Sequence, residues 1–251
     1  QVLKRDVKNI VYILYTSGST GEPKGVKLSN KNVLSFINWS INYFPISKKD
    51  IFCSVAPFHF DLSIFDVFVS LFYGAKLILF NAETIRNPRL VNKLLEQHKV
   101  SVIYSTPTLF SLLANYGKLE KFDHSALKVV NYAGEVFVQE YLIKLKEHWQ
   151  STQFYNLYGP TETNVCTAFK VPYLIDNFFN ERNIGHPCEH CFCKILVNQN
   201  IISEIKNGIL GELIISGDSV FEGYMGINSL TNFIEDVNFV KWYKTGDIVR
   251  V

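Results

Sequence analysis

A chain of 251 residues, 47% of them hydrophobic and 14% aromatic, can bury a large core without help from metal or disulfides. Its formal net charge of +2 on 19% charged residues gives no basic excess for nucleic acid or a membrane surface, which leaves small-molecule chemistry as the expected class. The five cysteines, Cys53, Cys166, Cys188, Cys191 and Cys193, are an odd number set mostly in strand-like segments, which points to reduced thiols and a cytoplasmic setting. There is no signal-peptide pattern and no apolar run of the ~18 residues that a membrane span requires.

Strand-like runs occupy 10–15, 51–56, 76–80, 100–104, 128–132 and 152–157. Helical signals lie between them. Asn87 is an N-cap, Pro88 fills the first helical position, and Leu90, Val91, Leu94 and Leu95 share one face. This alternation predicts an α/β fold over 1–182. From about Asn183 the pattern turns to short strands with glycine turns (194–197, 212–216, 242–250), so 183–251 is expected to be a smaller β-rich subdomain. The last segment stops in mid-strand pattern, which suggests a piece of a longer protein.

In open α/β sheets ligands bind beyond the carboxyl ends of the strands, so the residues that follow each strand carry the functional reading. The first such stretch is Thr16-Ser17-Gly18-Ser19-Thr20-Gly21-Glu22-Pro23-Lys24-Gly25. Glycines let backbone N–H groups approach phosphate oxygens, hydroxyls add donors and Lys24 adds charge. It departs from the Walker pattern, because Pro23 stands where that pattern needs glycine and no Ser or Thr follows the lysine. A plain Ser/Gly surface loop is the competing reading. The other stretches are Pro57-Phe58-His59-Phe60-Asp61, Ser105-Thr106-Pro107-Thr108, Ala133-Gly134-Glu135 and Tyr158-Gly159-Pro160-Thr161-Glu162.

At the first stretch the sequence resembles the adenylate-forming superfamily, which includes nonribosomal peptide synthetase adenylation domains, acyl-CoA synthetases and luciferases. Asn156-Leu157-Tyr158-Gly159-Pro160-Thr161-Glu162-Thr163 resembles that family's adenine and magnesium motif, and Tyr243-Lys244-Thr245-Gly246-Asp247 its ribose motif. Asn183-Ile184-Gly185-His186-Pro187, Gly211-Glu212-Leu213, Gly223-Tyr224 and Leu230-Thr231 complete the ordered set. The resemblance implies the family's N-terminal core of stacked α/β sheet layers, with a smaller β-rich subdomain and without the C-terminal lid. It implies ATP as cosubstrate: Thr16 to Gly21, Lys24 and Thr161 at the phosphates, Glu162 on Mg²⁺, Asn156 and Tyr158 on adenine, Tyr243 and Asp247 in the ribose motif.

These roles suit the residue types. An aromatic face stacks on a purine, a carboxamide offers donor and acceptor, and a carboxylate is a hard ligand for magnesium. Singly, Tyr158 reads equally as a core aromatic, Glu162 as a helix-start carboxylate and Asp247 as a turn aspartate.

The stretch Phe58-His59-Phe60-Asp61-Leu62-Ser63-Ile64-Phe65-Asp66 resembles the substrate motif of amino-acid-activating domains, in which an aspartate meets the α-ammonium. A carboxylate among aromatics is costly unless a cation neutralises it. Asp61 as a cap for a helix starting near Ser63 is the alternative. Carried over position by position, the side-chain pocket comprises Leu62, Phe65, Thr108, Asn131, Ala133, Leu157, Val165 and Cys166. None of these is charged, so a small or medium neutral amino acid is expected, with alanine as the single guess.

The expected reaction is ATP-dependent formation of aminoacyl-AMP with release of pyrophosphate, followed by thioester transfer to phosphopantetheine on a peptidyl carrier protein. Neither nucleic acid nor membrane is an expected partner. An acyl- or aryl-CoA ligase of the same superfamily and a non-catalytic nucleotide-binding module are the alternatives. The cluster His186, Cys188, His190, Cys191, Cys193 has a C-x₂-C-x-C spacing that suggests zinc, but no second cysteine pair accompanies it, and small apolar core residues are the simpler reading.

Overall fold

The computed structural model describes residues 9–16, 22–176, 179–202, 208–226 and 232–251. In chain order the first half holds β1 (Ile10–Thr16), β2 (Lys24–Ser29), α1 (Asn30–Tyr43), β3 (Ile51–Ser54), α2 (Leu62–Ile64), a π-helical turn (Phe65–Val69), α3 (Ser70–Tyr73), β4 (Lys76–Leu79), α4 (Ala82–Ile85), α5 (Pro88–Gln97), β5 (Val102–Ser105) and α6 (Pro107–Tyr116). There follow β6 (Val129–Tyr132), α7 (Gln139–His148), β7 (Gln153–Tyr158), β8 (Thr167–Lys170), β9 (His186–Pro187), β10 (Cys191–Val197), β11 (Asn200–Ile202), β12 (Leu210–Gly217), β13 (Phe233–Glu235) and β14 (Lys241–Arg250). No helix among the described residues is long and apolar enough to cross a membrane.

The chain forms two compact units, one of Gln1–Trp39, Gly159–Cys166 and Pro187–Val251, the other of Ser40–Tyr158 and Thr167–His186. The second unit is built on a sheet ordered β4-β3-β5-β6-β7-β8-β9, in which β3 to β7 pair in parallel and β8 returns antiparallel to β7. Every residue of β5 and β6 is buried, as expected of central parallel strands covered on both faces. Phe110, Leu113, Phe137, Leu142, Trp149 and Phe154 lie in the core that the helices make against this sheet. Helix α5 starts as its sequence predicts: the Asn87 side chain accepts from the Leu90 N–H at 3.2 Å and Pro88 opens the helix.

The first unit holds a five-stranded antiparallel sheet, β11-β10-β12-β14-β13, and a separate antiparallel hairpin of β1 and β2. Leu14, Val26, Leu28, Phe221, Tyr224 and Tyr243 form one of its cores. The hairpin corrects one expectation. β1 and β2 are antiparallel partners apart from the parallel sheet, so β1 does not lead to that sheet's carboxyl edge. The physical reason is length, because a parallel return needs a crossover of roughly a dozen residues or more.

Candidate functional site

In the sheet-based unit, the expected substrate residues stand on or just after β3, β5, β6 and β7. Ser54, Tyr104, Asn131 and Tyr155 are register partners, so their side chains share one face of the sheet. Asn131 is fully buried, and neither its amide nitrogen nor its oxygen finds a hydrogen-bond partner among the described residues. A buried carboxamide left without a partner is costly. Ala133, just past β6, and Leu157, on β7, are buried, whereas Leu62 is half-buried.

Asp61 sits at the N-cap position of α2 with φ −63° and ψ −23°, and its side chain makes no capping hydrogen bond. The capping alternative therefore has no bond behind it; the Ser63 hydroxyl instead donates to the Phe60 carbonyl at 2.7 Å. Phe65 lies wholly in the core, edge-on to Phe44 and Tyr104 with ring centroids 5.4 and 5.6 Å apart.

Thr108, in the first turn of α6, is exposed and tied to Glu135, its backbone N–H donating to Oε2 at 3.1 Å and its hydroxyl at 2.5 Å. The lining expected to be free of charge thus has a carboxylate bonded to one member, and that charge is committed to the positive end of α6. Glu135 was visible as a post-strand residue, but 27 residues of separation hide the contact from any local reading. Asn156 is buried, and its Nδ2 donates to the Asn183 carbonyl at 2.8 Å, which joins two of the recognised motifs. Tyr158 ends β7 half-buried.

In the other unit, three separate motifs meet. The Lys24 ammonium stands 5.5 Å from the centre of the Tyr224 ring, and the Tyr224 hydroxyl donates to Glu162 Oε1 at 2.7 Å. Burial, then the nearby Glu162 carboxylate, pushes the Tyr224 phenol up to about 12, so it remains a donor at neutral pH. The same two causes drive Tyr243 upward. Tyr243 is buried in the core, stacked edge-on against Phe221.

Glu162 lies in a turn rather than at a helix start, and its carbonyl accepts from the Phe221 N–H at 2.8 Å. Gly159 is required here: a Cβ would lie 1.6 Å from the Asn164 carbonyl oxygen, so only glycine lets this loop close on itself. Thr161 is half-buried in that loop, and Val165 and Cys166 are buried at its end.

Thr16 ends β1 opposite Lys24. Asp247 is exposed just after Gly246 (φ +82°), its N–H donating to the Thr245 hydroxyl at 3.1 Å, while Glu212 Oε1 accepts from the Gly246 N–H at 2.9 Å. Ser17, Gly18, Ser19, Thr20, Gly21, Leu230 and Thr231 lie outside the described residues. Among the described residues no group of three or more His, Cys, Asp or Glu side chains is placed to hold a metal ion, the cysteine cluster included.

The model of the family described as AMP-binding enzyme matches residues 2–225. The chain is 35% identical over 242 residues to an L-proline--[L-prolyl-carrier protein] ligase of Pseudomonas fluorescens, covering 96% of this chain and 46% of that protein. It is 34% identical over 238 residues to a D-alanine--D-alanyl carrier protein ligase of Bacillus licheniformis, covering 94% of this chain and 47% of that protein. The chain thus spans about half the length of these curated relatives. Among solved structures, the Vibrio cholerae adenylation domain AlmE in complex with glycyl-adenosine-5'-phosphate aligns with a TM-score of 0.87 at 27% identity, covering 98% of this chain and 46% of that one. A match along nine-tenths of the sequence, on a fold shared with solved adenylation domains, has one consequence: this chain belongs to the AMP-binding enzyme family.

Proposed function

We propose that the protein carrying this chain activates an amino acid as its aminoacyl-AMP at the expense of ATP and passes it as a thioester to phosphopantetheine on a carrier protein. The observation that carries the amino-acid part is Asp61, a half-buried carboxylate at the start of α2 within the stretch that resembles the substrate motif of amino-acid-activating domains. A bound α-ammonium group would neutralise it. Relatives named as proline and D-alanine carrier-protein ligases, and a neighbour holding glycyl-adenosine-5'-phosphate, support the same substrate class. In this reading 1–182 is the ATP- and substrate-binding core and 183–251 the β-rich subdomain with the ribose motif.

In the proposed half-reaction a substrate carboxylate oxygen bonds to the α-phosphorus of MgATP while the bond from that phosphorus to the bridging oxygen breaks, and pyrophosphate leaves with the electron pair. No general base is required, since the carboxylate is ionised at neutral pH. The work that remains is alignment and charge neutralisation. Lys24 supplies positive charge, Thr16 to Gly21 and Thr161 supply donors to the phosphates, and Asp247 accepts from the ribose hydroxyls beside Tyr243. Asn156 and Tyr158 take the adenine. Glu162, a hard oxygen donor steadied by the Tyr224 hydroxyl, fits the magnesium that travels with ATP.

The side-chain pocket is assigned to Leu62, Phe65, Thr108, Asn131, Ala133, Leu157, Val165 and Cys166, and a small or medium neutral amino acid is the substrate class. The test is amino-acid-dependent exchange of pyrophosphate into ATP by the full-length protein, screened over a panel of amino acids. Asp61→Asn should lower kcat/KM for the amino acid about 30-fold or more, as loss of a charged partner worth ~2 kcal/mol or more requires, with the KM for ATP unchanged. Exchange with no amino acid, or exchange indifferent to Asp61→Asn, overturns the reading.

A further inference from the structure

Cys166, Cys188, Cys191 and Cys193 all belong to the same unit, and no role assigned above uses the last three. The Cys191 N–H donates to the Cys188 carbonyl at 3.1 Å, closing a turn over residues 188–191, and the Cys188 N–H donates to the Cys166 carbonyl at 2.9 Å. A turn closed in this way holds its end Cα atoms within about 7 Å, and a disulfide spans roughly 4.4–6.8 Å. The main chain therefore holds the Cα atoms of Cys188 and Cys191 near the separation that a disulfide spans. Cys193, two residues along β10, faces the same side as Cys191 and is the more exposed of the three.

Inside the turn is His190. Its Nε2 lies 3.0 Å from the Val165 carbonyl, so Nε2 carries the proton, and the buried Nδ1 has no hydrogen-bond partner among the described residues. Burial keeps the ring neutral. The Cys188 and Cys193 thiols draw the pKa of Cys191 down against burial, whereas the carbonyls of Cys166 and Cys188, 3.1 and 3.4 Å from its sulfur, favour the protonated S–H. Those carbonyls are fixed by the backbone and hold the Cys191 thiol as an S–H donor.

We propose that Cys188 and Cys191 form a thiol–disulfide exchange site, which reduces a small-molecule disulfide while closing a reversible intrachain bond, with Cys193 as the point of entry. The Cys193 sulfur attacks the small disulfide, forming a mixed disulfide and releasing one small thiol. Cys191 then attacks the Cys193 sulfur and releases the second. Finally Cys188 attacks Cys191 and restores the Cys193 thiol. In sum two electrons pass from the protein pair to the small disulfide, and the two protein protons end on the two small thiols. Closure settles on Cys188–Cys191 because residues two apart on a strand stand about 6.6–6.8 Å apart, at the upper limit for a bridge.

The turn also holds Val165 and Cys166 through the His190 ring, the Cys188 N–H and the Cys191 thiol. Bond closure removes the last of these donors. That this would alter substrate affinity rests on the adenylation reading; the exchange chemistry does not.

The test is mass spectrometry of the chain after incubation with glutathione disulfide, trapping with N-ethylmaleimide and cleavage after Lys and Arg. The peptide 183–194, which carries Cys188, Cys191 and Cys193, is expected to lose the mass of two hydrogens and to bear one maleimide, on Cys193. Dithiothreitol should restore three alkylated thiols, and Cys53→Ser should change nothing. Three maleimides after oxidation, a glutathione adduct without internal closure, or a maleimide on Cys188 overturns the proposal. So does Cys188→Ser if it still loses two hydrogens. None of these readouts depends on adenylation, so failure here and failure of the functional reading are separate results.

Discussion

Replacing Tyr224 with phenylalanine deletes one oxygen and keeps the ring that Lys24 faces at 5.5 Å and Phe221 packs against with centroids 4.8 Å apart. The main loss is the 2.7 Å hydrogen bond to the buried Glu162 carboxylate, with the hydroxyl's contacts to Tyr243 and Asn232. A hydrogen bond to a charged group contributes about 1.5–3 kcal/mol. With a urea m-value of about 2 kcal/mol/M, the midpoint of the unfolding transition of that unit should fall by roughly 0.7–1.5 M with its slope unchanged. Because burial and Glu162 push the phenol pKa up to about 12, the loss should be constant from slightly acidic to slightly alkaline pH. Urea titration followed by circular dichroism measures it. A double-mutant cycle with Glu162→Gln sharpens the test, since a neutral partner no longer leaves a buried charge unsolvated, and the two costs should fall short of additivity by about 1 kcal/mol or more. Additivity within about 0.5 kcal/mol, or an unmoved midpoint for Tyr224→Phe, would refute the coupling inferred from the geometry.

Two other sites carry sharp expectations. Asp66 is wholly buried, neither carboxylate oxygen has a hydrogen-bond partner among the described residues, and burial raises its pKa well above the usual range against an opposing effect of Ser54. A folded pKa above the unfolded one means that the unfolded state binds fewer protons between the two values, so stability falls as pH rises from about 4. Asp66→Asn should therefore stabilise the protein at neutral pH, with the gain shrinking to nothing near pH 4; a gain independent of pH would contradict this. Gly159→Ala forces a Cβ to within 1.6 Å of the Asn164 oxygen and should cost ~1–3 kcal/mol, read as a lower midpoint of thermal unfolding. An unchanged midpoint would show that the loop opens freely.

Local chemistry determined much of this protein in its sequence alone. Asn87 and Pro88 predict the start of α5 because capping involves neighbours within three residues, and the buried runs 102–105 and 129–132 show as strands because both faces are covered. The ordered motifs, from Thr16 to Asp247, were enough to place the chain in its family. The tertiary structure alone decided which distant groups meet. Tyr224 reaches Glu162 across 62 residues, Glu135 reaches Thr108 across 27, and the Cys191 sulfur reaches the Cys166 carbonyl across 25. It also decided that β1 and β2 pair antiparallel with each other and that the chain turns π-helical at Phe65–Val69. The reason is that periodicity and caps act within a few residues, whereas long-range pairing depends on how whole sheets and helices bury their apolar faces, which no window of sequence contains.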